Sequence, residues 1–292
     1  MSGLPDSNSL EMRPRRPWLA GLLSFLVSGV GQVYNGQWKK GAVLFAIETV
    51  LGLVLIPACA SFDTLVASFG ALLALNMLVA VEAWWQARGL REYSLRSCNR
   101  GWIYGLVVLT AFTSGPLLEI VVRSAFYRNY SIPSGSMLPA LHVGDQIMAR
   151  AFGMDDPVRR GQVVVFELPR DPSKYFIKRV VGLPGERVEL RRKVVFVNGK
   201  RLQEPYVRFA DSAISPRRDN LAGLQLGPDE YFLMGDNRDA SYDSRFFGPV
   251  PRSAFRASAL YVYLPGGAGG AEWASRFGQT LNGFESTRIP AR

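Results

Sequence analysis

The stretch 175-YFIKRVVG-182 decides how the second half of this chain is read. Aromatic and β-branched residues run between an Asp-Pro-Ser turn and a glycine, the signature of a buried strand. Alternation puts Phe176, Lys178 and Val180 on one face and Ile177 and Arg179 on the other. Lys178 is then desolvated by its neighbours while Arg179 points away. Burial disfavours an ammonium and lowers a lysine pKa by up to ~3–5 units, which makes Lys178 a candidate general base. The alternative is a solvated edge-strand lysine.

Segments on either side repeat the pattern. Strands are expected at 145-DQIMAR-150, 162-QVVVFEL-168, 186-ERVEL-190, 193-KVVFVNG-199, 230-EYFLMG-235 and 259-ALYVYL-264, with a hairpin turn at Asn198-Gly199. Residues 208–228 read as a polar excursion. The run 265-PGGAGG-270 reads as a flexible linker, followed by a tail in which Trp273, Phe277 and Phe284 suit one short amphipathic helix.

Upstream lies 130-YSIPSGSMLPALHVGD-145, with Ser134 and Ser136 bracketing a glycine. A serine nucleophile needs a positioned base. The only histidine, His142, follows Ser136 by six residues, in a turn leading to a strand. Lys174 sits in a turn, Lys193 follows two arginines and Lys200 follows Asn198-Gly199, so all three are expected to be solvated and charged. Lys178 is left. The loop 235-GDNRDASYDSRFFG-248 packs three aspartates and two arginines into fourteen residues. It reads as a buried ion-pair network; an Asp-rich metal loop or a plain turn stays open. From the residues alone, either serine can be the nucleophile.

The first half is different. Residues 1–17 read as a polar cytoplasmic tail, and 18–126 as a membrane domain. Spans are expected at about 41–60, 64–86 and 101–122, each near the ~20 residues a bilayer requires. The shorter segment 18–34 is expected to be re-entrant or interfacial. Arg88, Arg91, Arg96 and Arg100, with Lys39 and Lys40, belong on the cytoplasmic side. The last span then delivers residues 127–265 to the outer face, as a β-rich domain. Glu48, Glu82 and Glu119 are expected to snorkel or pair. Cys59 and Cys98 fall on opposite sides of the membrane, so no disulfide is expected. One histidine and two cysteines argue against a His- or Cys-rich metal site. The net charge is +10, but the basic residues of the second half are scattered among acids, so no nucleic-acid stripe stands out and a basic surface facing anionic lipid headgroups is at least as plausible. The pattern Gly-x-Gly-Gln-x-Tyr-x-Gly at 29–36, after Pro17 and an apolar run and before Lys39-Lys40, resembles a small membrane module found at the start of assorted bacterial membrane proteins.

Four blocks, IPSGSMLPALHVGD, RGQVVVF, YFIKRVVGLPG and MGDNRDASYDSRFFG, in this order and spacing over roughly residues 120–265, are similar to bacterial type I signal peptidase, the leader peptidase family. The resemblance implies a Ser/Lys-dyad serine endopeptidase with N-terminal transmembrane helices and a mostly-β catalytic domain. It implies Ser136 as nucleophile, Lys178 as base, Ser134 and the Ser136 amide as oxyanion hole, and Ser241 orienting the lysine. Asp236, Asp243 and Arg245, with Arg179, correspond to supporting ion pairs. Ile132, Met137, Leu141, Ile147, Val165, Phe176 and Ile177 match the lining of shallow pockets for small side chains. No cofactor is implied. The implied partners are exported preproteins, the bilayer and the secretion translocon, and the implied place is the inner membrane, with catalysis on the periplasmic side. Ala140, Gln162, Glu186, Ala240 and Phe247 depart from the usual residues without removing a proposed catalytic atom. A peptidase dedicated to one secretion, pilus or conjugation substrate, a self-cleaving repressor-type protease, and a non-catalytic membrane scaffold are the rival readings.

Overall fold

A computed structural model of the chain describes residues 14–55, 60–92, 101–102, 104–106, 109–110, 113, 127–153, 155–267 and 271–282. The chain forms two units, Met1–Val122 and Arg123–Arg292. Both cysteines, Arg96, Arg100, Glu119, Phe284 and most of the span expected at 101–122 lie outside the described residues.

In the first unit, helices α1 (Pro17–Leu26), α2 (Val30–Tyr34), α3 (Trp38–Leu55) and α4 (Phe62–Gly89) follow one another. Pro17 opens α1, where a missing N–H costs nothing. Ser61 and Thr64 close a capping box on α4. Helix α4 is the one described helix long and apolar enough to cross a membrane. Its 28 residues reach about 42 Å, against an apolar bilayer thickness of about 30 Å. Helix α3 is described only to Leu55, and its first turn is charged. The segment 18–34 is two short helices that break at Gly29, whose φ is +85°.

This unit is apolar outside and polar inside. Val43, Ile47, Val50, Phe69 and Leu78 are exposed, while Ser24, Gln32 and Asn35 are buried. The glycine motif explains the close packing: a Cβ on Gly31 would lie 2.1 Å from the Ala20 carbonyl oxygen, and one on Gly29 2.1 Å from that of Gly41. Several buried polar groups find partners. Ser24 Oγ donates to Gln32 Oε1 (2.8 Å), Gln32 Nε2 donates to Glu82 (2.7 Å) and to the Val79 carbonyl (3.1 Å), and Asn35 Nδ2 to the Ala83 carbonyl (2.8 Å). Lys40 pairs with Glu82 at 2.6 Å, and Asn76 donates to Glu48 at 3.3 Å.

The second unit is built on strands β1 (Tyr127–Ser131), β2 (Gln146–Ala151), β3 (Val163–Leu168), β4 (Asp171–Gly182), β5 (Arg187–Arg191), β6 (Val194–Val197), β7 (Lys200–Arg201), β8 (Leu221–Gln225), β9 (Glu230–Met234), β10 (Val250–Pro251) and β11 (Phe255–Leu264). Short helices α5 (Pro216–Asp219), α6 (Ser244–Phe247) and α7 (Ala271–Ser275) interrupt them. A seven-stranded sheet has the order β1-β2-β11-β3-β4-β9-β10, and a four-stranded sheet the order β7-β6-β5-β8. All strand pairs are antiparallel. Val164, Phe166, Val180, Leu233, Phe247 and Phe255 form one core. Val181, Phe232 and Met234 pack against Val188, Val195 and Val197 of the small sheet in a second.

Four expectations need correcting. Strand β1 was not foreseen, because its edge position allows a polar YRNYS sequence. The excursion 208–228 contains α5 and strand β8. Lys193 is not solvated: its side chain is 10% exposed and its ammonium donates to Asp239 (2.8 Å) and the Asp211 carbonyl (2.6 Å). Arg192 and Lys193 occupy the left-handed region at the β5–β6 turn (φ 47° and 72°), an arrangement unusual outside glycine and asparagine, and these ion pairs hold it. Finally, residues 271–282 do not trail from a linker. Val262 N donates to the Gln279 carbonyl (3.0 Å), Leu281 N to the Leu260 carbonyl (3.0 Å), and Leu281 is 1% exposed in a core with Ile132, Met137, Leu141 and Ile147.

Candidate active site

Strand β4 supplies the candidate base. Val163 and Val164 of β3 pair with Arg179 and Lys178, so both charged residues sit mid-sheet on opposite faces. Lys178 is 4% exposed, and Arg179 is fully buried rather than merely turned away. Burial pushes the Lys178 ammonium down to about 8; Asp243 and Asp236 oppose this and Arg245 adds to it. Its Nζ donates to Ser136 Oγ at 2.8 Å and to the Ile177 carbonyl at 2.9 Å.

Ser136 lies on a 3₁₀ turn, Gly135–Met137. The loop is closed at its base by Ile132 N to the Asp145 carbonyl (2.9 Å) and Gly144 N to the Ile132 carbonyl (2.8 Å). Met137 and Leu141 anchor it in the core. Ser134 is exposed and its Oγ donates to Ser136 Oγ at 3.3 Å. His142 makes no described hydrogen bond to either serine.

The 235–248 loop locks this arrangement. Gly235 passes so close that a Cβ would lie 2.5 Å from the Ser136 carbonyl oxygen. Asn237 N donates to that same carbonyl (3.1 Å) and Asn237 Nδ2 to the Gly135 carbonyl (3.0 Å). Asp236 takes a two-pronged pair from Arg179, at 2.9 and 2.6 Å. Asp243 takes another from Arg245, at 2.8 and 2.9 Å, and accepts from Gly235 N at 3.1 Å. Both carboxylates are wholly buried, so each needs its arginine. Ser241 departs from expectation: its buried Oγ makes no hydrogen bond among the described residues, and the lysine contact implied for it is not made.

The expected pocket residues divide. Ile132, Met137, Leu141 and Ile147 cluster with Ile177 packed against them. Val165 neighbours Ile177 in an adjoining cluster. Phe176 does not join them; it faces the other side, against Phe166, Phe247 and Tyr242.

Several contributors escaped the sequence reading. Asn237 sits inside a quoted motif, and its neighbour Gly235 was the signal. Asp145, buried, pairs with Arg276 of the tail and accepts from His142 N (2.8 Å) and Gly266 N (2.8 Å). Leu281 gives its carbonyl to Arg179 Nη1 (3.1 Å), beside that of Gly161 (2.7 Å). No local pattern announces such long-range partners.

The chain matches known proteins over this unit. The sequence model of the family described as signal peptidase, peptidase S26, matches residues 100–264. A probable signal peptidase I-1 of Synechocystis is 34% identical over 194 residues, covering 64% of this chain and 88% of that protein. A signal peptidase I of Bacillus amyloliquefaciens is 30% identical over 177 residues, covering 58% and 89%. One of Pseudomonas aeruginosa is 35% identical over 166 residues, covering 44% and 58%. On these matches the chain belongs to the signal peptidase family, peptidase S26, and is a serine endopeptidase.

Proposed function

We propose that this protein is a membrane-bound signal peptidase that removes N-terminal signal peptides from exported preproteins by a Ser136/Lys178 dyad. The observation that carries the reading is the 2.8 Å approach of Lys178 Nζ to Ser136 Oγ in a desolvated site. Neutral Lys178 takes the Ser136 proton as Oγ attacks the scissile carbonyl. The Ser134 hydroxyl and the Ser136 amide receive the oxyanion; one such donor is worth roughly 3–4 kcal/mol. The ammonium then protonates the leaving amine, and neutral Lys178 activates water to release the acyl group.

The substrate lies extended along β4. Strand β9 pairs only with residues 179–182, so the edge before Arg179, next to Ser136, is open to a further strand. Shallow pockets are assigned to the surface over the partly buried Ile177, floored by the buried Ile132, Met137, Leu141, Ile147 and Val165, which would suit small side chains at the first and third positions before the cut. The length and apolar exterior of α4 support a membrane anchor; it is read as one of several spans in the cytoplasmic membrane, with residues 127–282 on the outer side, where preproteins leave the translocon.

Cleavage of a preprotein in detergent by wild type, Ser136→Ala and Lys178→Ala tests the dyad. Both variants should lose activity by roughly 10⁴-fold or more; retained cleavage by either overturns the reading.

A further inference from the structure

We propose that one end of the N-terminal unit is a binding surface for anionic phospholipid headgroups, formed by Arg16, Lys39, Arg88 and Arg91 within a ring of tryptophans. The inference rests on reading this unit as membrane-embedded.

Three chain segments converge there. Arg15 N donates to the Leu90 carbonyl at 3.1 Å, joining the start of α1 to the end of α4. Arg16 N donates to Tyr34 Oη at 3.2 Å, bringing in α2. Lys40 reaches Glu82 at 2.6 Å, fixing the start of α3 near the end of α4. The starts of α1 and α3 and the end of α4 therefore share one end of the unit. Arg16, Lys39, Arg88 and Arg91 are exposed there. Among the described residues the acids nearby are Glu82, already held by Lys40 and Gln32, and Glu92. At the start of α4, the opposite end, stands Asp63, so the described part of the unit is electrically lopsided.

Tryptophans fix the depth. Trp18, Trp38 and Trp85 are 59%, 55% and 68% exposed, each within about one turn of that end. Exposed tryptophan at helix ends marks the membrane–water interface, the level of lipid phosphates. Arg88 lies 4.6 Å from the ring of Trp84, holding its guanidinium at that level. The starts of α1 and α3 bring two positive helix ends here and α4 ends here with its negative one, so the exposed cationic side chains set the charge of this surface. Fixed cations and apolar side chains immediately below them match a phosphate whose acyl chains descend along the helices. A soluble anion would use only the cations.

The test is native mass spectrometry of the full chain in neutral detergent, titrated with phosphatidylglycerol or phosphatidylcholine. Phosphatidylglycerol should be retained about tenfold better, and the preference should shrink at high salt. The variant R16Q/K39Q/R88Q/R91Q, which touches nothing in the peptidase site, should lose the preference while still cleaving a soluble peptide. If that variant is not folded, K39Q and R91Q taken singly should each reduce the preference about twofold or more. Equal retention of the two lipids by wild type, a preference that survives the substitutions, or displacement of the lipid by millimolar inorganic phosphate overturns the proposal. Peptide cleavage and a reporter fused after residue 126 report separately on the peptidase and topology readings.

Discussion

Lys178 Nζ stands 2.8 Å from Ser136 Oγ, while the next residue, Arg179, sends its guanidinium through the opposite face of the same strand to Asp236. One strand thus holds, on opposite faces, the lysine proposed as the base and an arginine paired with a buried carboxylate.

The Lys178 pKa of about 8 sets the pH dependence. The proposed mechanism requires the neutral amine, so kcat/KM should climb about tenfold per pH unit and level off above pH 8. Stability follows the same group. Its folded pKa lies below the unfolded value of 10.5, so the unfolded chain binds more protons between pH 8 and 10.5, and stability rises with pH across that window. Below pH 8 the full cost of the buried charge is present, roughly 3 kcal/mol. Lys178→Met should therefore be inactive yet more stable at pH 7, by about 1–3 kcal/mol, and should lose this pH dependence. Urea denaturation at pH 7 and pH 10 measures it.

Ser134→Ala removes the proposed oxyanion donor, and with it the 3.3 Å hydrogen bond to Ser136 Oγ, while leaving both dyad side chains in place. The expected result is a fall in kcat of roughly 10²–10³-fold with KM little changed. Steady-state kinetics on a synthetic signal-peptide substrate decides it.

Asp243→Asn acts twice. It leaves Arg245, whose side chain is 2% exposed, as an uncompensated buried charge, which should cost about 3–5 kcal/mol in thermal or urea unfolding. It also removes the carboxylate that most raises the Lys178 pKa. The acidic limb of the pH–rate profile should move below pH 8 in whatever fraction remains folded.

Leu281→Ala tests the tail. A buried leucine cut back to alanine should cost about 2–5 kcal/mol, far more than expected of a residue in a flexible extension. Unchanged unfolding would mean that residues 271–282 are dispensable to the core.

His142→Gln should leave kcat within about twofold of wild type. A loss like that of Lys178→Ala would restore histidine as the base.

What the sequence discloses here is local. The alternation through FIKRVV is visible because a strand repeats every two residues, and it places Lys178 and Arg179 correctly on opposite faces. Whether either face meets water depends on partners far along the chain. Lys193 looks solvated beside two arginines, yet its carboxylate partner Asp239 is 46 positions away. Arg276 reads as an ordinary tail cation until the fold sets Asp145 against it, 131 positions distant. Strand β1 is missed for the reverse reason, since an edge strand needs no apolar run.

The open edge of β4 carries a consequence for the timing of cleavage. A segment that joins this edge offers its backbone donors and acceptors to the enzyme and cannot spend them elsewhere. A helix running through the cut site, or a mature domain already folded up to its first residue, withholds those groups. Such a preprotein should escape cutting even with the right small side chains in place, so cleavage must precede folding of the sequence around the junction.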